Sequence, residues 1–226
     1  MLRCASENGV GLSSIDWGRL IYELVVFLFS LSFHEMAHAW AADRLGDSTA
    51  RLQGRLTLNP MVHLDLFGTV ILPALAALTG LAVIGWAVPV PVDTRNLRHP
   101  RRDHALIAAA GPASNVLLAL VAAGLVHLTM GGALLAPILG LETAEAVVSL
   151  LMMFVLLNLL LAVFNLIPVP PLDGSWMLSA LLPPDLARHY DALRPYGVIL
   201  LLILVVSPLW RELIFPVVYG AYGLLI

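Results

Sequence analysis

The stretch LIYELVVFLFSLSFHEMAHAWAA, at residues 20–42, decides the fold. It belongs to an apolar run at about 19–42, which is long enough for an α-helix that crosses a hydrocarbon layer of ~30 Å. Three ionisable side chains, His34, Glu35 and His38, fall within five consecutive residues of this run. Ionisable groups are costly within a membrane helix and are usually functional there. The stretch therefore predicts a membrane helix that carries a functional site.

The composition of the chain is that of a membrane protein. Hydrophobic residues make up 60% of the 226 residues, charged residues make up 12%, and the mean hydropathy is +0.91. A soluble domain needs more charge to cover its surface, so the lipid bilayer is the expected surrounding. The net charge is −3, and no basic excess indicates a nucleic-acid partner. The single cysteine, Cys4, can form no disulfide within the chain.

Four further apolar runs follow the first. They lie at about 66–88, 104–129, 147–166 and 196–224. The last run is interrupted by Ser207-Pro208 and by later polar residues, so it predicts either one kinked span or two short ones. The runs together predict an all-α polytopic membrane protein with about five or six apolar segments. No basic segment precedes the first run and no cleavage site follows it, so we expect a retained helix rather than a signal peptide.

The spacing of His34 and His38 predicts a metal site. Residues i and i+4 lie on one face of a helix, so both imidazoles can bind one ion. Glu35, next to the first histidine, can reach a water at the metal and act as the general base. A histidine with a purely structural role would explain one of these residues, but not all three.

A catalytic zinc ion takes three protein ligands and keeps one position open. Asp173, in NLIPVPPLDG at 165–174, is a candidate for the third ligand because it follows an apolar run at a proline-rich helix end. The same sequence is also ordinary turn chemistry. On spacing alone, His63, Asp65 and His104 remain alternative donors.

Several motifs together resemble the site-2 protease family of intramembrane metalloproteases. They are HEMAH at 34–38 in an apolar helix, GPASN at 111–115 and NLIPVPPLDG at 165–174. The stretches at 54–65 and 85–98 are similar to the compact bacterial branch of the family, which lacks PDZ and CBS domains. The resemblance covers roughly residues 30–180.

This resemblance implies an intramembrane zinc endopeptidase that cleaves membrane-spanning segments of membrane proteins. It implies one Zn²⁺ ion with His34, His38 and Asp173 as ligands, and Glu35 as the catalytic base. It also implies that Asn165 holds the substrate backbone or the developing oxyanion. The partners are then a substrate helix and the lipid bilayer.

The domain organisation follows from the same reading. We expect one membrane-embedded metalloprotease domain over residues 1–226, with a catalytic core at about 19–180 and C-terminal helical segments at 196–226. Asn115 in GPASN is expected to have a structural role, because buried amides often join membrane helices.

Binding of one ion by His38 and Asp173 constrains the topology, because both must lie near the same side of the membrane. The chain between them must therefore cross the membrane an even number of times. Run 66–88 is rich in Gly and Pro, which favours a re-entrant segment. With that topology, loops 43–103 and 167–195 share one side and hold nine of the twelve arginines.

The side rich in arginine is expected to be cytoplasmic. We therefore predict a multi-pass protein of the bacterial inner membrane, with its active site nearer the cytoplasm and its N-terminus outside. A short extended or β segment is expected near 85–93, where prolines alternate. It can help to hold an unwound substrate by β-augmentation, or it can be a stiff linker.

Two other functional classes fit parts of the pattern. One is a membrane metal-binding or transport protein, and the other is a catalytically inactive scaffold of the same fold. A transport protein predicts a track of polar residues across several helices, whereas the polar residues of the apolar runs cluster at one depth. Glu35 argues against an inactive scaffold, because metal binding alone needs no base beside the ligands. A serine hydrolase is not supported, since the chain contains no G-x-S-x-G element.

Overall fold

The computed structural model describes residues 17–65, 68, 71, 88–130 and 135–226, and these residues are mainly helical. The helices longer than one turn are α1 Trp17–Leu45, α2 Pro100–Met130, α3 Leu141–Asn165, α4 Asp173–Leu181, α5 Pro184–Asp191, α6 Gly197–Val206 and α7 Phe215–Leu225. Single helical turns lie at Thr49–Leu52, Pro60–Val62, Thr94–Asn96, Ala136–Leu139, Arg194–Tyr196 and Trp210–Ile214. The described part of the chain contains no β-strand.

Four helical stretches among the described residues are long and apolar enough to cross a membrane. They are Ile21–Leu45, Pro100–Thr129, Leu141–Asn165 and Pro184–Val206. The expected all-α membrane architecture is thereby confirmed. The fourth stretch begins at Pro184, earlier than the predicted run at 196–224, because the polar residues before that run are also helical.

Helix α2 occupies the centre of the fold and packs against α1, α3 and α4. Its small residues Ala119, Ala122 and Ala123 are buried against Val155 and Leu159 of α3. Small side chains let membrane helices approach closely, where dispersion contacts stabilise the pair. Large apolar side chains elsewhere on α2 are exposed, as expected for a helix that faces lipid.

The C-terminal run forms two helical pieces that are separated at Ser207. Helix α6 ends at Val206, and Ser207 has an extended backbone with φ −73° and ψ 155°. A residue before proline is driven out of the helical region by the proline ring, so Pro208 accounts for the break. The second piece begins at Pro208 and includes the turn Trp210–Ile214 and helix α7.

The segment near 85–93 differs in part from the prediction. Residues 88–93 form no strand, although the backbone at Asp93 is extended and the Val88 N–H donates to the His63 carbonyl at 3.0 Å. Pro89 and Pro91 have no N–H to donate to a β ladder, which explains why no ladder forms. Residues 85–87, and nearly all of the segment 66–88 that we predict to be re-entrant, lie outside the described residues.

Asp47 joins the loop after α1 to the loop before α2. Its carboxylate accepts hydrogen bonds from the Asp93 N–H at 2.7 Å, the Asn96 side chain at 2.9 Å and the Thr49 N–H at 3.1 Å. The residue is fully buried. Burial alone would raise the pKa of the Asp47 carboxyl, but these hydrogen bonds hold the pKa below its ordinary value.

We expect Asp47→Ala to destabilise the protein by about 1–3 kcal/mol, because its buried donors lose their acceptor. A lowered pKa stabilises the fold above the pKa of the unfolded state, and this contribution disappears as the pH falls through the native pKa. Thermal unfolding in detergent should therefore show a large deficit at neutral pH and a smaller one in acid. Asp185→Ala is the control, because that side chain is 81% exposed in its pair with Arg188 and should change little. An equal deficit at both pH values would contradict this role.

Candidate metal centre

Three polar atoms converge where α1 meets the start of α4. His34 Nε2 and His38 Nε2 are 3.0 Å apart, and they lie 3.2 Å and 3.3 Å from Asp173 Oδ2. A tetrahedral zinc ion with bonds of about 2.0–2.1 Å holds its ligand atoms about 3.3 Å apart. The side chains that the sequence predicted as ligands are therefore brought together with nearly this spacing.

The chemistry of this triangle fits a cation. Both histidine Nδ1 atoms face oxygen acceptors at 2.7 Å, so each neutral ring carries its hydrogen on Nδ1 and directs a lone pair from Nε2. Asp173 Oδ2 is buried and accepts no hydrogen bond from the described residues. Three electron-rich atoms at this distance repel one another, and a cation between them relieves this repulsion. The residues present therefore fit a zinc ion.

Gly111 allows α2 to pack directly over the two histidines. A Cβ atom at this position would lie 2.4 Å from His38 Nε2 and 2.6 Å from His34 Cε1. Only glycine leaves this space free, so the glycine of GPASN is required by the packing at the site.

Gly174 allows the first turn of α4 to pack against the end of α3. A Cβ atom there would lie 2.2 Å from the carbonyl oxygen of Leu166, which is backbone and cannot rotate away. This close packing fixes the position of Asp173 at the first residue of α4.

Glu35 lines a cavity of about 390 Å³ together with the three converging residues. Its side chain is buried, with 8% of its surface exposed. Most of the remaining lining is apolar and comes from α1, α2, α3 and α6. A carboxylate in such surroundings, beside a metal group, is placed to accept a proton from a water molecule.

Asn165 and the segment before α2 also line this cavity. One Nδ2 hydrogen of Asn165 is donated to the Leu161 carbonyl at 3.0 Å. Pro89, Val90 and Val92 form another part of the wall. These residues of the segment therefore lie beside the site, although the predicted strand is absent from 88–93.

The alternative metal donors do not join the ligand group. Among the described residues, the group that could hold a metal ion consists of His34, His38 and Asp173. The His63 ring bonds through Nε2 to the Thr57 carbonyl at 2.9 Å. His104 lines the cavity, but its ring packs on a tryptophan at a centroid distance of 4.0 Å.

Arg194, which follows α5 in the sequence, contacts two residues of α4. Its guanidinium carbon lies 3.2 Å from the centre of the Trp176 ring, and its nitrogens donate to Asp191 and to Ser175. Asp191 in turn accepts a hydrogen bond from Ser179 at 3.0 Å. These contacts fix the helix that presents Asp173, and single-residue motifs in the sequence gave no indication of them.

Asn115 has a closer relation to the metal centre than the sequence indicated. Its Oδ1 accepts the His34 Nδ1–H at 2.7 Å, so its structural role is to orient a residue of the metal group. The spacing of GPASN contains the signal, because Asn115 lies four residues after Gly111 and therefore on the same helix face. Asn158, which donates to Ser30 and contacts Asn115, was not singled out by the sequence.

A helical fold that can cross a membrane, with a buried group fit to hold a metal ion, defines the class as a membrane metalloprotein. The chain belongs to peptidase family M50, the site-2 protease family, whose model matches residues 22–141 and 128–204. The family resemblance of the sequence motifs is thereby confirmed.

Bacterial proteins with zinc metalloprotease in their names are similar to this chain over most of its length. YwhC of Bacillus subtilis, whose name assigns it as a zinc metalloprotease, is 38% identical over 86% of this chain and 84% of its own. Rip2 of Mycolicibacterium smegmatis, named in the same way, is 30% identical over 89% of this chain and 73% of its own. Rip2 of Mycobacterium tuberculosis is 32% identical over 92% and 75%. No solved structure matches the chain.

The family match and the similar proteins together identify this chain as a membrane zinc metalloprotease with zinc as its cofactor. The predicted enzyme class and the predicted cofactor are both confirmed.

Proposed function

We propose that this protein is an intramembrane zinc endopeptidase that cleaves the membrane-spanning segments of other membrane proteins. The observation that carries the proposal is the triangle of His34, His38 and Asp173 inside a bundle of helices long and apolar enough to cross a membrane, with Glu35 in the same cavity. In this proposal the three residues of the triangle bind one zinc ion, and Glu35 is the general base.

The chemistry is the hydrolysis of a peptide bond. When bound, zinc polarises the scissile carbonyl and lowers the pKa of a water molecule at its open position. Glu35 takes a proton from the attacking water as the new C–O bond forms at the carbonyl carbon. Glu35 then returns this proton to the amide nitrogen as the C–N bond breaks, which leaves a carboxylic acid and an amine.

A substrate helix must unwind before this reaction, because its carbonyls are hydrogen-bonded within the helix. Unwound backbone in a dry environment needs new partners. Val90 lies between Pro89 and Pro91, and Val92 follows Pro91. Both valines keep an N–H group, and both line the cavity. We assign these two N–H groups, together with the Asn165 amide, to the binding of the substrate backbone.

The domain and its orientation are part of the proposal. The chain forms one membrane-embedded protease domain over 1–226, with its core at about 19–180. The protein lies in a bacterial inner membrane with the site nearer the cytoplasm, as the positions of its arginines indicate. Reporter fusions near residues 55 and 97 are expected on the same, cytoplasmic side, and placement on opposite sides would contradict the re-entrant topology of 66–88.

The proposed function is tested by removing and restoring the metal. The full chain is purified in detergent and reconstituted with a tagged substrate that has a single membrane helix. We expect cleavage to stop when a chelator removes zinc, and to return when one equivalent of Zn²⁺ is added back. Cleavage at an undiminished rate by zinc-free protein would refute the proposal.

A further inference from the structure

A chain of buried polar side chains crosses the bundle beside the metal centre. It joins Asn158 on α3, Asn115 on α2, and Ser30 and His34 on α1. Ser30, Asn115 and Asn158 have no exposed surface. Buried amides often serve only to hold membrane helices together. Here the order of donors and acceptors along the chain indicates a more specific role.

The donor-to-acceptor direction of this series of hydrogen bonds is set at the backbone carbonyl of Phe154, which can only accept a hydrogen bond. The Asn158 Nδ2 group lies 2.9 Å from this carbonyl and 2.9 Å from Ser30 Oγ, so the amide nitrogen must face both. Asn158 Oδ1 therefore faces Asn115, and the Asn115 Nδ2 group donates to it at 2.9 Å. An amide that was turned the other way would place oxygen against oxygen at the Phe154 carbonyl.

This order fixes the second amide and then the histidine. With its nitrogen directed to Asn158 at 2.9 Å, and more weakly to the Ser30 carbonyl at 3.5 Å, Asn115 presents Oδ1 to the His34 ring at 2.7 Å. Since this oxygen can only accept, the hydrogen of the neutral ring must be on Nδ1 and the lone pair on Nε2. Nε2 is the atom that faces His38 and Asp173.

We propose that Asn158 and Asn115 form a relay of positioning residues, which imposes on His34 the tautomer that a metal ligand requires. His38 receives the same tautomer directly, because its Nδ1–H donates to the Ile107 carbonyl at 2.7 Å. A backbone carbonyl thus orients each histidine. The Phe154 carbonyl acts on His34 through the side-chain amides of Asn158 and Asn115, and the Ile107 carbonyl acts on His38 directly. The inference rests on the assignment of both histidines as zinc ligands in the proposed function.

Zinc affinity of the full chain in detergent, measured against a competing chelator, is the readout. Partners that orient metal ligands are typically worth about 10–100-fold in affinity, and we expect a loss of this size for Asn115→Leu. Asn158→Leu leaves the Asn115 Nδ2 group with only the longer contact to the Ser30 carbonyl, at 3.5 Å, so we expect a loss of about tenfold. Ser30→Ala should cost less than about threefold, because the Phe154 carbonyl still sets the direction.

A rescue variant separates the relay from a role in packing alone. Asn115→Asp places acceptor oxygens beside His34 whatever Asn158 does. We therefore expect Asn115→Asp, combined with Asn158→Leu, to recover at least most of the zinc affinity. If Asn158→Leu does not fold, the comparison of Asn115→Asp with Asn115→Leu carries the test, and the two should differ by about tenfold or more.

Ser32→Ala is the matched control, since Ser32 is also buried on α1 but bonds to the Leu28 carbonyl outside the relay. Its zinc affinity should equal that of the wild type. Wild-type affinity in Asn115→Leu, or a double variant no better than Asn158→Leu, would overturn the relay. The proposed function is judged separately by cleavage. Relay variants that bind zinc normally in an active protease refute the relay alone, whereas zinc binding without any cleavage by the wild type refutes the function alone.

Discussion

Glu35→Gln is expected to abolish cleavage while the protein keeps its zinc. The amide has nearly the shape of the carboxylate, so the buried cavity wall and the two histidines beside it are retained. It cannot accept the proton of the attacking water, and loss of a general base costs about 10²–10⁴-fold in rate. That range corresponds to about 3–5 kcal/mol of transition-state stabilisation.

The measurement compares the initial rate of cleavage in proteoliposomes with the zinc content of the same preparation. Glu145→Gln makes the same chemical change at an exposed position on α3 and should leave the rate unaltered. Glu35→Asp keeps a carboxylate but shortens it, so an intermediate rate is expected. A Glu35→Gln enzyme that cleaves at the wild-type rate would remove Glu35 from the mechanism.

Gly111→Ala is expected to disable the metal centre without touching a ligand. The new methyl group would lie 2.4 Å from His38 Nε2, well inside contact distance, so the ring or the helix must move. The triangle of ligand atoms tolerates little displacement, and we expect zinc affinity to fall by about 100-fold or more. Cleavage should fall with it.

Gly124→Ala is a close control for this prediction. Gly124 lies on the same helix, and a Cβ atom there meets nothing within 4 Å. Alanine in a helix interior is more favourable than glycine by about 1 kcal/mol, so this variant should be as stable as the wild type or slightly more stable, with normal zinc affinity. If Gly111→Ala binds zinc as tightly as Gly124→Ala, the close packing of α2 over the histidines is not essential.

The sequence predicts the part of the site that lies on a single helix. His34, Glu35 and His38 are set by local spacing, since an i, i+4 pair shares a face in any regular helix. Asp173 could not be separated from His63 or His104 on spacing, because its position depends on how α4 packs. Gly174 determines that packing through a contact of its own Cβ position with Leu166, which no local pattern reveals.

Side-chain orientation is the feature that the sequence predicts least well. Asn115 appears as the amide of the GPASN motif with an expected structural role, and Asn158 only as a polar residue in an apolar run. Their roles depend on which amide atom faces which neighbour across three helices. The orientation follows from a backbone carbonyl on α3, and this information exists only in the packed structure.

The ends of helices can be predicted from the sequence where their cause is local. The interruption at Ser207-Pro208 follows from the steric effect of proline on the preceding residue, and the helix ends there. The expected strand near 85–93 shows the opposite case. Alternate prolines favour an extended chain but also remove the donors of a ladder, and the described residues 88–93 are extended in part without being a strand.

The position of the cleaved bond tests the proposed function most directly. After reconstitution with a substrate that has one membrane helix and soluble flanks, intact-mass analysis of the products locates the new termini. We predict new termini within the apolar segment, formed by the wild type with zinc and not by Glu35→Gln. Cleavage confined to the soluble flanks, or cleavage within the segment that persists in Glu35→Gln, would contradict an intramembrane protease that acts through His34, Glu35, His38 and Asp173.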